Sequence, residues 1–301
     1  MRKFAFLIGL LAAAGLAPAE AKLNVFACEP EWAALTTELG GDNVDVYSAT
    51  TGGQDPHQVQ ARPSLIAKAR KADLAVCTGA ELEIGWMPQI VRQSANSKID
   101  LGQPGYFEAT SFIDLKEKPT SLDRANGDIH AYGNPHIQTD PRNIAVVAKA
   151  LAAKLAEMDP ANAATYQSRL ADFETRWNAA IAKWTAEAAP LKGVPIAVQH
   201  KSWPYLEDWL GLKEVVALEP KPGVPPNSGY LATVIQTLQA QPVKMIIRAA
   251  YEDPRSSEFI TSKIPTKAIE LPFTVGGNDE AKDLFSLYDN TLNLMLGALQ
   301  Q

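Results

Sequence analysis

Imidazole is scarce in this chain: of 301 residues only four are histidine, His57, His130, His136 and His200. Three of them stand where strands end or loops turn. His57 closes the loop Gly52-Gly53-Gln54-Asp55-Pro56-His57, His136 lies in Gly133-Asn134-Pro135-His136 ahead of Asp140-Pro141, and His200 directly follows the apolar run Val194 to Gln199. In both X-Pro-His loops the proline fixes its own φ and restricts the residue before it, which limits how the ring can approach a ligand. Neutral imidazole suits zinc, copper, iron and nickel, and three such nitrogens with one carboxylate or water make a tetrahedral zinc site. The chain carries no HExxH helix, CxxC pair or EF-hand loop, so the short metal motifs add nothing. From residue type alone, three separate hydrogen-bonded histidines remain the alternative.

The elements that must position these rings follow from hydrophobic periodicity. From Leu23 to about Ser111 short apolar runs alternate with helical stretches: strands at Val25 to Cys28, Val44 to Ser48 and Leu74 to Cys77, helices at Glu31 to Leu39 and Ser64 to Lys71. That alternation predicts a mostly parallel sheet with helices on both faces. It begins again at Val194, with strands at Val194 to Gln199, Val215 to Leu218 and Met245 to Arg248 and helices at Trp203 to Trp209, Ser228 to Leu238 and Ser256 to Lys263. The halves share an order of elements, a structural pseudo-repeat. An α/β fold of two similar lobes follows, and His200 then sits at the carboxyl edge of a strand, where open α/β sheets bind ligands.

Between the halves, Asp140-Pro141 supplies a capping carboxylate and a first-turn proline, so a helix is expected from there to Met158. Asp159-Pro160 repeats the device. Tyr166, Leu170, Phe173, Trp177, Ile181 and Trp184 then recur at helical spacing and give one apolar stripe on a long helix, a stiff rod joining the lobes. The expected division is residues 1–21 as a signal peptide, 22–140 as the first lobe, 141–190 as the helical segment and 191–301 as the second lobe.

Residues 1–21 combine Arg2-Lys3, an apolar run from Phe4 to Ala17 and the triplet Ala19-Glu20-Ala21, the three regions of a cleaved secretory signal. The mature chain is then expected to begin at Lys22, in the periplasm, without a lipid anchor, since no cysteine follows the cut. Export permits a disulfide between Cys28 and Cys77, which end two runs that read as buried strands; two buried free thiols are the alternative. A net charge of −6 with no Lys/Arg block excludes nucleic acid as the main partner and suits a cationic ligand.

In this order Asp55-Pro56-His57 with Pro63-Ser64, Ala72-Asp73-Leu74-Ala75-Val76 with Thr78-Gly79-Ala80-Glu81-Leu82-Glu83 and Trp86, Asn134-Pro135-His136 with Asp140-Pro141, and His200 with Tyr205-Leu206 and Gly211-Leu212 are found along the chain. Over nearly its whole mature length the sequence resembles the cluster A-I (TroA-like, zinc-uptake) periplasmic metal-binding proteins of ABC importers. The resemblance implies two lobes joined by a rigid helix, with His57, His136 and His200 as metal ligands in the cleft. It implies a monomeric carrier of Zn(II), or alternatively Mn(II), that hands its cargo to a membrane permease with a cytoplasmic ATPase, and no enzyme activity.

Family members usually add an aspartate after the last strand. Here direct register places Val275 at that position, so Asp279 is the expected fourth ligand if the Gly276-Gly277 turn re-aims the loop. A helix-capping role for Asp279 is the equal alternative; Glu280, Glu252 or water are the other choices. His130 reads as a loop residue or an auxiliary ligand. Leu115 to Asp128 contains no histidine, so a histidine-rich capture loop gives no argument for zinc, and the preference for zinc over manganese rests on three nitrogens. From another functional class, a secreted three-histidine zinc hydrolase would use Glu252 or Asp279 as general base.

Overall fold

A computed structural model describes residues 21–121, 123, 127 and 129–300. The signal segment, up to residue 20, lies outside the described residues. The first half runs β1 (Leu23–Ala27), α1 (Pro30–Gly40), β2 (Val44–Ser48), α2 (Pro63–Lys71), β3 (Leu74–Cys77), α3 (Met87–Ser94) and β4 (Tyr106–Glu108). Two helices follow, α4 (Pro141–Met158) and α5 (Ala163–Glu187). The second half runs β5 (Pro195–Val198), α6 (Pro204–Leu210), β6 (Lys213–Ala217), α7 (Ser228–Ala240), β7 (Met245–Ala249), α8 (Arg255–Thr261), β8 (Lys267–Leu271) and α9 (Leu284–Leu299).

Both sheets are parallel, and their strand orders, β2-β1-β3-β4 and β6-β5-β7-β8, are the same arrangement repeated. The pseudo-repeat read from the sequence is therefore present in the topology. Periodicity did not reveal β4, whose three residues are too few to show an alternation. Neighbouring strands β1 and β3 bring Cys28 and Cys77 together at one edge, where they form a disulfide with Cα atoms 4.8 Å apart.

The Asp-Pro devices diverge. Asp140 caps α4, accepting from the Arg142 N–H at 2.8 Å. Asp159 instead precedes a short 3-10 turn, and its carboxylate binds Asn162 Nδ2 at 2.9 Å and the Tyr166 hydroxyl at 2.6 Å. The restart is thus a side-chain clamp on the first turn of α5.

Burial differs from a picture of two separate cores. One continuous cluster joins Val25, Leu35, Ile144, Leu151, Phe173, Trp177, Ile196, Ile247, Leu287 and Met295, reaching from the first sheet through α1, α4 and α5 to α9 and the second sheet. Only the outer faces of the sheets have cores of their own, around Phe26, Leu65 and Ile90 on one side and Leu218, Val234 and Ile260 on the other. The stripe on α5 is the spine of the shared core: Tyr166, Leu170, Phe173, Trp177 and Trp184 are buried. At 1.5 Å per residue this 25-residue helix is about 37 Å long. Its polar contacts reach both halves: Arg169 Nε donates to the Glu38 carbonyl of α1 at 2.8 Å, and Trp184 Nε1 donates to Asp289 of α9 at 2.7 Å.

Three glutamates are buried behind the carboxyl edge of the first sheet. The Thr78 N–H donates to Glu83 at 2.7 Å and to Glu29 at 3.3 Å, and the Thr78 hydroxyl, itself accepting from Trp32 Nε1, donates to Glu29 at 3.0 Å. Glu31 accepts from the Thr274 hydroxyl, which comes from the second half of the chain. Burial, reinforced by the charges of Glu83 and Glu31, holds the Glu29 carboxyl well above the usual carboxylate range, and burial pushes Glu31 and Glu83 up to about 7. A carboxyl whose folded pKa is raised binds its proton more tightly folded than unfolded, so its contribution to stability is full at acid pH and fades as pH rises above the unfolded value. The metal-free protein is therefore expected to lose thermal stability between pH 5 and 7.5, and Glu29→Gln to flatten that slope by about one bound proton. Calorimetric melting across this range checks it; parallel slopes for both proteins would sink the idea.

Candidate metal centre

Two of the three histidines come from the carboxyl ends of strands, His57 in the loop after β2 and His200 two residues beyond β5, whereas His136 precedes the 3-10 turn leading into α4. The two X-Pro-His loops are the same local structure. In one, Asp55 Oδ1 accepts both the His57 backbone N–H and its ring Nδ1–H, each at 2.9 Å. In the other, Asn134 Oδ1 accepts the His136 N–H at 3.0 Å and its Nδ1–H at 2.8 Å. A short side chain two residues upstream closes a turn on the backbone and pins the ring in one motion. The intervening proline needs no N–H partner, so nothing competes for that oxygen.

His200 is oriented from farther away. Its Nδ1 lies 2.7 Å from Glu219, at the end of β6, which runs beside β5. Glu219 is held in turn by the Gly223 N–H at 2.9 Å. With all three Nδ1 atoms donating, the lone pairs fall on Nε2, the tautomer a metal requires. Ligand atoms of His57, His136 and His200 all lie within 4.8 Å of one another. Nε2 of His57 and of His136 is buried without a hydrogen-bond partner. A buried polar nitrogen left unpaired is costly, so two of them this close to His200 fit the donor set of a metal.

The electrostatics agree. Burial, followed by the like charges of His57, His200 and His130, pushes His136 well below the usual imidazole range and keeps it neutral. For His200 burial also opposes charge, but the hydrogen bond and charge of Glu219, with Glu252 and Asp55, outweigh it and raise its pKa. A metal arriving there must displace a proton in mild acid. Phe273 stands against His136, ring centroids 5.5 Å apart, and Trp203 and Tyr251 pack on Phe273 to form an aromatic wall. A cavity of about 530 Å³ on one side is lined by Asp55, His57, His200, Glu219, Tyr251 and Glu252. His130, His136 and His200 line a second, of about 250 Å³, on the other.

The structure brings together His57, His136 and His200 and does not bring Asp279 to them. Asp279 and Glu280 are exposed. Asn278 organises that turn: its side-chain oxygen accepts the N–H groups of Glu280 and Ala281, and its amide donates to Asn290 of α9 at 2.8 Å. Val275 packs against the core. Glu252 does face the site's cavity; one carboxylate oxygen accepts the Ala249 N–H at 2.7 Å and the other is buried without a partner. Burial raises its pKa to about 7, with His200 working against the rise.

A family model described as ZnuA, zinc-uptake complex component A periplasmic, matches residues 25–298. The chain belongs to this family. It is a family of substrate-binding components of importers, not of enzymes, which removes the hydrolase alternative. The chain is 28% identical over 193 residues to the metal ABC transporter substrate-binding lipoprotein ScbA of Streptococcus cristatus, covering 60% of this chain and 59% of that protein. It is 30% identical over 184 residues to the manganese ABC transporter substrate-binding lipoprotein scaA of Streptococcus gordonii, covering 56% of each. It thus spans less than two thirds of the length of these curated relatives. In fold it is similar to the solute-binding protein FpvC of Pseudomonas aeruginosa, solved in complex with Mn2+, with a TM-score of 0.79, 20% identity and coverage of 93% of this chain and 99% of that one.

The side chains that aim the rings were not assigned that role from sequence. Asp55 and Asn134 had a signal, the recurrence of Asx-Pro-His; Glu219 had none, since only strand pairing brings it across 19 residues to His200. Removing such an orienting partner typically weakens metal binding 10–100-fold. Asp55→Ala and Glu219→Ala are expected to lose affinity for Zn(II) in that range with an unchanged circular dichroism spectrum, as measured by competition with a chromophoric chelator. Wild-type affinity in both would show that the rings are held by packing alone.

Proposed function

We propose that this protein is the substrate-binding component of a metal ABC importer, that it captures one divalent transition metal on His57, His136 and His200, and that Zn(II) is its cargo. The observation that carries this reading is the convergence of three imidazoles, each fixed through Nδ1, with two Nε2 atoms buried and unpartnered. Family membership supports delivery to a membrane permease with its ATPase. Zinc is favoured by the donors: three neutral nitrogens suit it better than manganese, which prefers oxygen. Glu252, with its free oxygen in the same cavity, is what favours manganese as the second reading. The division near residues 140 and 190 is part of this proposal, with the ligands drawn from both sides of the helical segment. Periplasmic location accords with the family description, whereas the relatives named above are lipoproteins, so the form in which the chain is held there belongs to the proposal as well.

Chelator-stripped protein is expected to bind one Zn(II) per chain in calorimetric titration. His57→Ala, His136→Ala and His200→Ala should each weaken it by at least tenfold, and excess Mn(II) should fail to displace it. Full affinity in all three variants rejects the site, and displacement by Mn(II) at comparable concentration rejects zinc as the cargo.

A further inference from the structure

A groove of about 790 Å³ follows β4, the strand at one end of the first sheet, from Asp100 and Leu101 ahead of the strand to Leu115 beyond it. It is larger than either cavity beside the histidines. The three most exposed large apolar side chains among the described residues, Leu101 at 72%, Tyr132 at 66% and Ile84 at 62%, all line it, together with Met87 and Val91 of α3. Scattered singly such side chains are ordinary, but gathered on one concave surface they mark a place where something binds.

The exposure is built into the backbone. Where β3 ends, Gly79, Ala80 and Glu81 hold positive φ of 84°, 49° and 69°. Two consecutive non-glycine residues keep such angles only where their surroundings impose them. At Gly79 a Cβ would lie 2.7 Å from Thr110 Oγ1 and 2.9 Å from Glu108 Cβ, so the turn sits directly on the end of β4. Leu82 N–H donates to the Gly79 carbonyl at 3.1 Å and Ile84 N–H to the Glu81 carbonyl at 3.3 Å, which closes the turn that carries Ile84. The Glu81 carboxylate accepts the Ala131 N–H at 2.9 Å and so ties this wall to the loop that carries Tyr132. That loop runs on toward the metal centre, with the His130 ring centroid 5.4 Å from that of His57.

The charge of the groove is one-sided. Glu81, Glu83, Asp100 and Glu108 line it with a single cation, Arg92. None of the four carboxyls is in an ion pair among the described residues. Burial raises the Glu108 carboxyl above its usual range, and no positive charge of the described residues offsets it. Apolar walls with unpaired carboxyls complement a segment that mixes apolar side chains with cations, and they repel an acidic one. A groove that follows the last strand of a sheet suits an extended segment, whose side chains alternate between two faces.

We propose that this groove is a docking surface for an extended segment of a partner protein in which apolar residues alternate with lysine or arginine, seated along β4 beside the metal centre. The partner then grips the loop that carries Tyr132, two residues from His130. This surface does not depend on which metal the histidines hold.

The test uses the mature chain and a short fluorescent peptide that alternates leucine with lysine, with binding read by anisotropy. Replacing the lysines of the peptide by glutamate, or its leucines by serine, should each weaken binding at least tenfold. Leu101→Ser combined with Ile84→Ser should do the same with an unchanged circular dichroism spectrum, since both side chains are exposed and their loss leaves the core intact. Asp100→Asn with Glu108→Gln should lower the affinity and flatten its dependence on salt. Phe259→Ser, at an exposed side chain on α8 in the other half of the chain, should change nothing. Equal affinity for the lysine and glutamate peptides, or equal losses at Phe259 and in the groove, overturns the proposal. A dimer in sedimentation that Leu101→Ser dissolves assigns the groove to a second copy of the chain, and binding to phosphatidylcholine vesicles that Ile84→Ser abolishes assigns it to a lipid surface; either result overturns it as well.

Discussion

Everything at the centre depends on holding three imidazoles close together with their Nδ1 atoms fixed. Left alone, such rings would protonate, repel and turn their nitrogens to water. Here each is fixed by one oxygen on Nδ1, from Asp55, Asn134 and Glu219. The bond selects the tautomer, so the unpaired nitrogen is always the one that faces its neighbours. Burial of His136 then removes the option of charge. Preorganisation of this kind would let the binding energy of a metal go into its bonds to nitrogen instead of reordering side chains.

Those three oxygens must themselves be placed, and this is the work of the fold. Asp55 and Asn134 are local, two residues from the rings they hold. Glu219 is set by the register of β5 and β6, and that register in turn by the packing of α7 and α8 on the outer face and of the shared core on the inner one. Beyond the last strand pair, the Glu219 N–H donates to the Gln199 carbonyl at 3.2 Å, which carries the alignment of β5 and β6 on to the residue before His200.

The sequence disclosed the α/β alternation, the capped α4, the aromatic stripe of α5 and the three rings, because each is written in local spacing. It concealed what depends on distant partners. The continuity of the core was hidden because apolar stripes show which face is buried but not against what. Glu219 was hidden because it follows a different strand from the one that precedes the ring it serves. Asp279 stands exposed for a specific reason: the Gly276-Gly277 pair permits a sharp turn, and Asn278 ties that turn to α9 through Asn290. His130 carried no signal beyond its residue type, since its proximity to His57 arises from a loop tied to Glu81 through the Ala131 N–H.

The shared core also bears on how the two halves can move. In a protein whose halves have separate cores, rotation about a linker opens the cleft at little cost. Here α5 is packed into one cluster with α1, α4 and α9, and a rigid-body separation of the sheets would expose Phe173, Trp177 and Trp184 to water. Burial of a single aromatic side chain is worth roughly 1.5–3 kcal/mol, so parting several at once costs more than a carrier of ordinary stability can spare. The polar ties across the cleft are of a different order. The Asn134 amide to the Lys201 carbonyl and the Thr274 hydroxyl to Glu31 are single hydrogen bonds, each contributing about 1 kcal/mol net. The sheets and α5 are therefore held as one body by the shared core, and the contacts between the loops at their edges are the weaker ones.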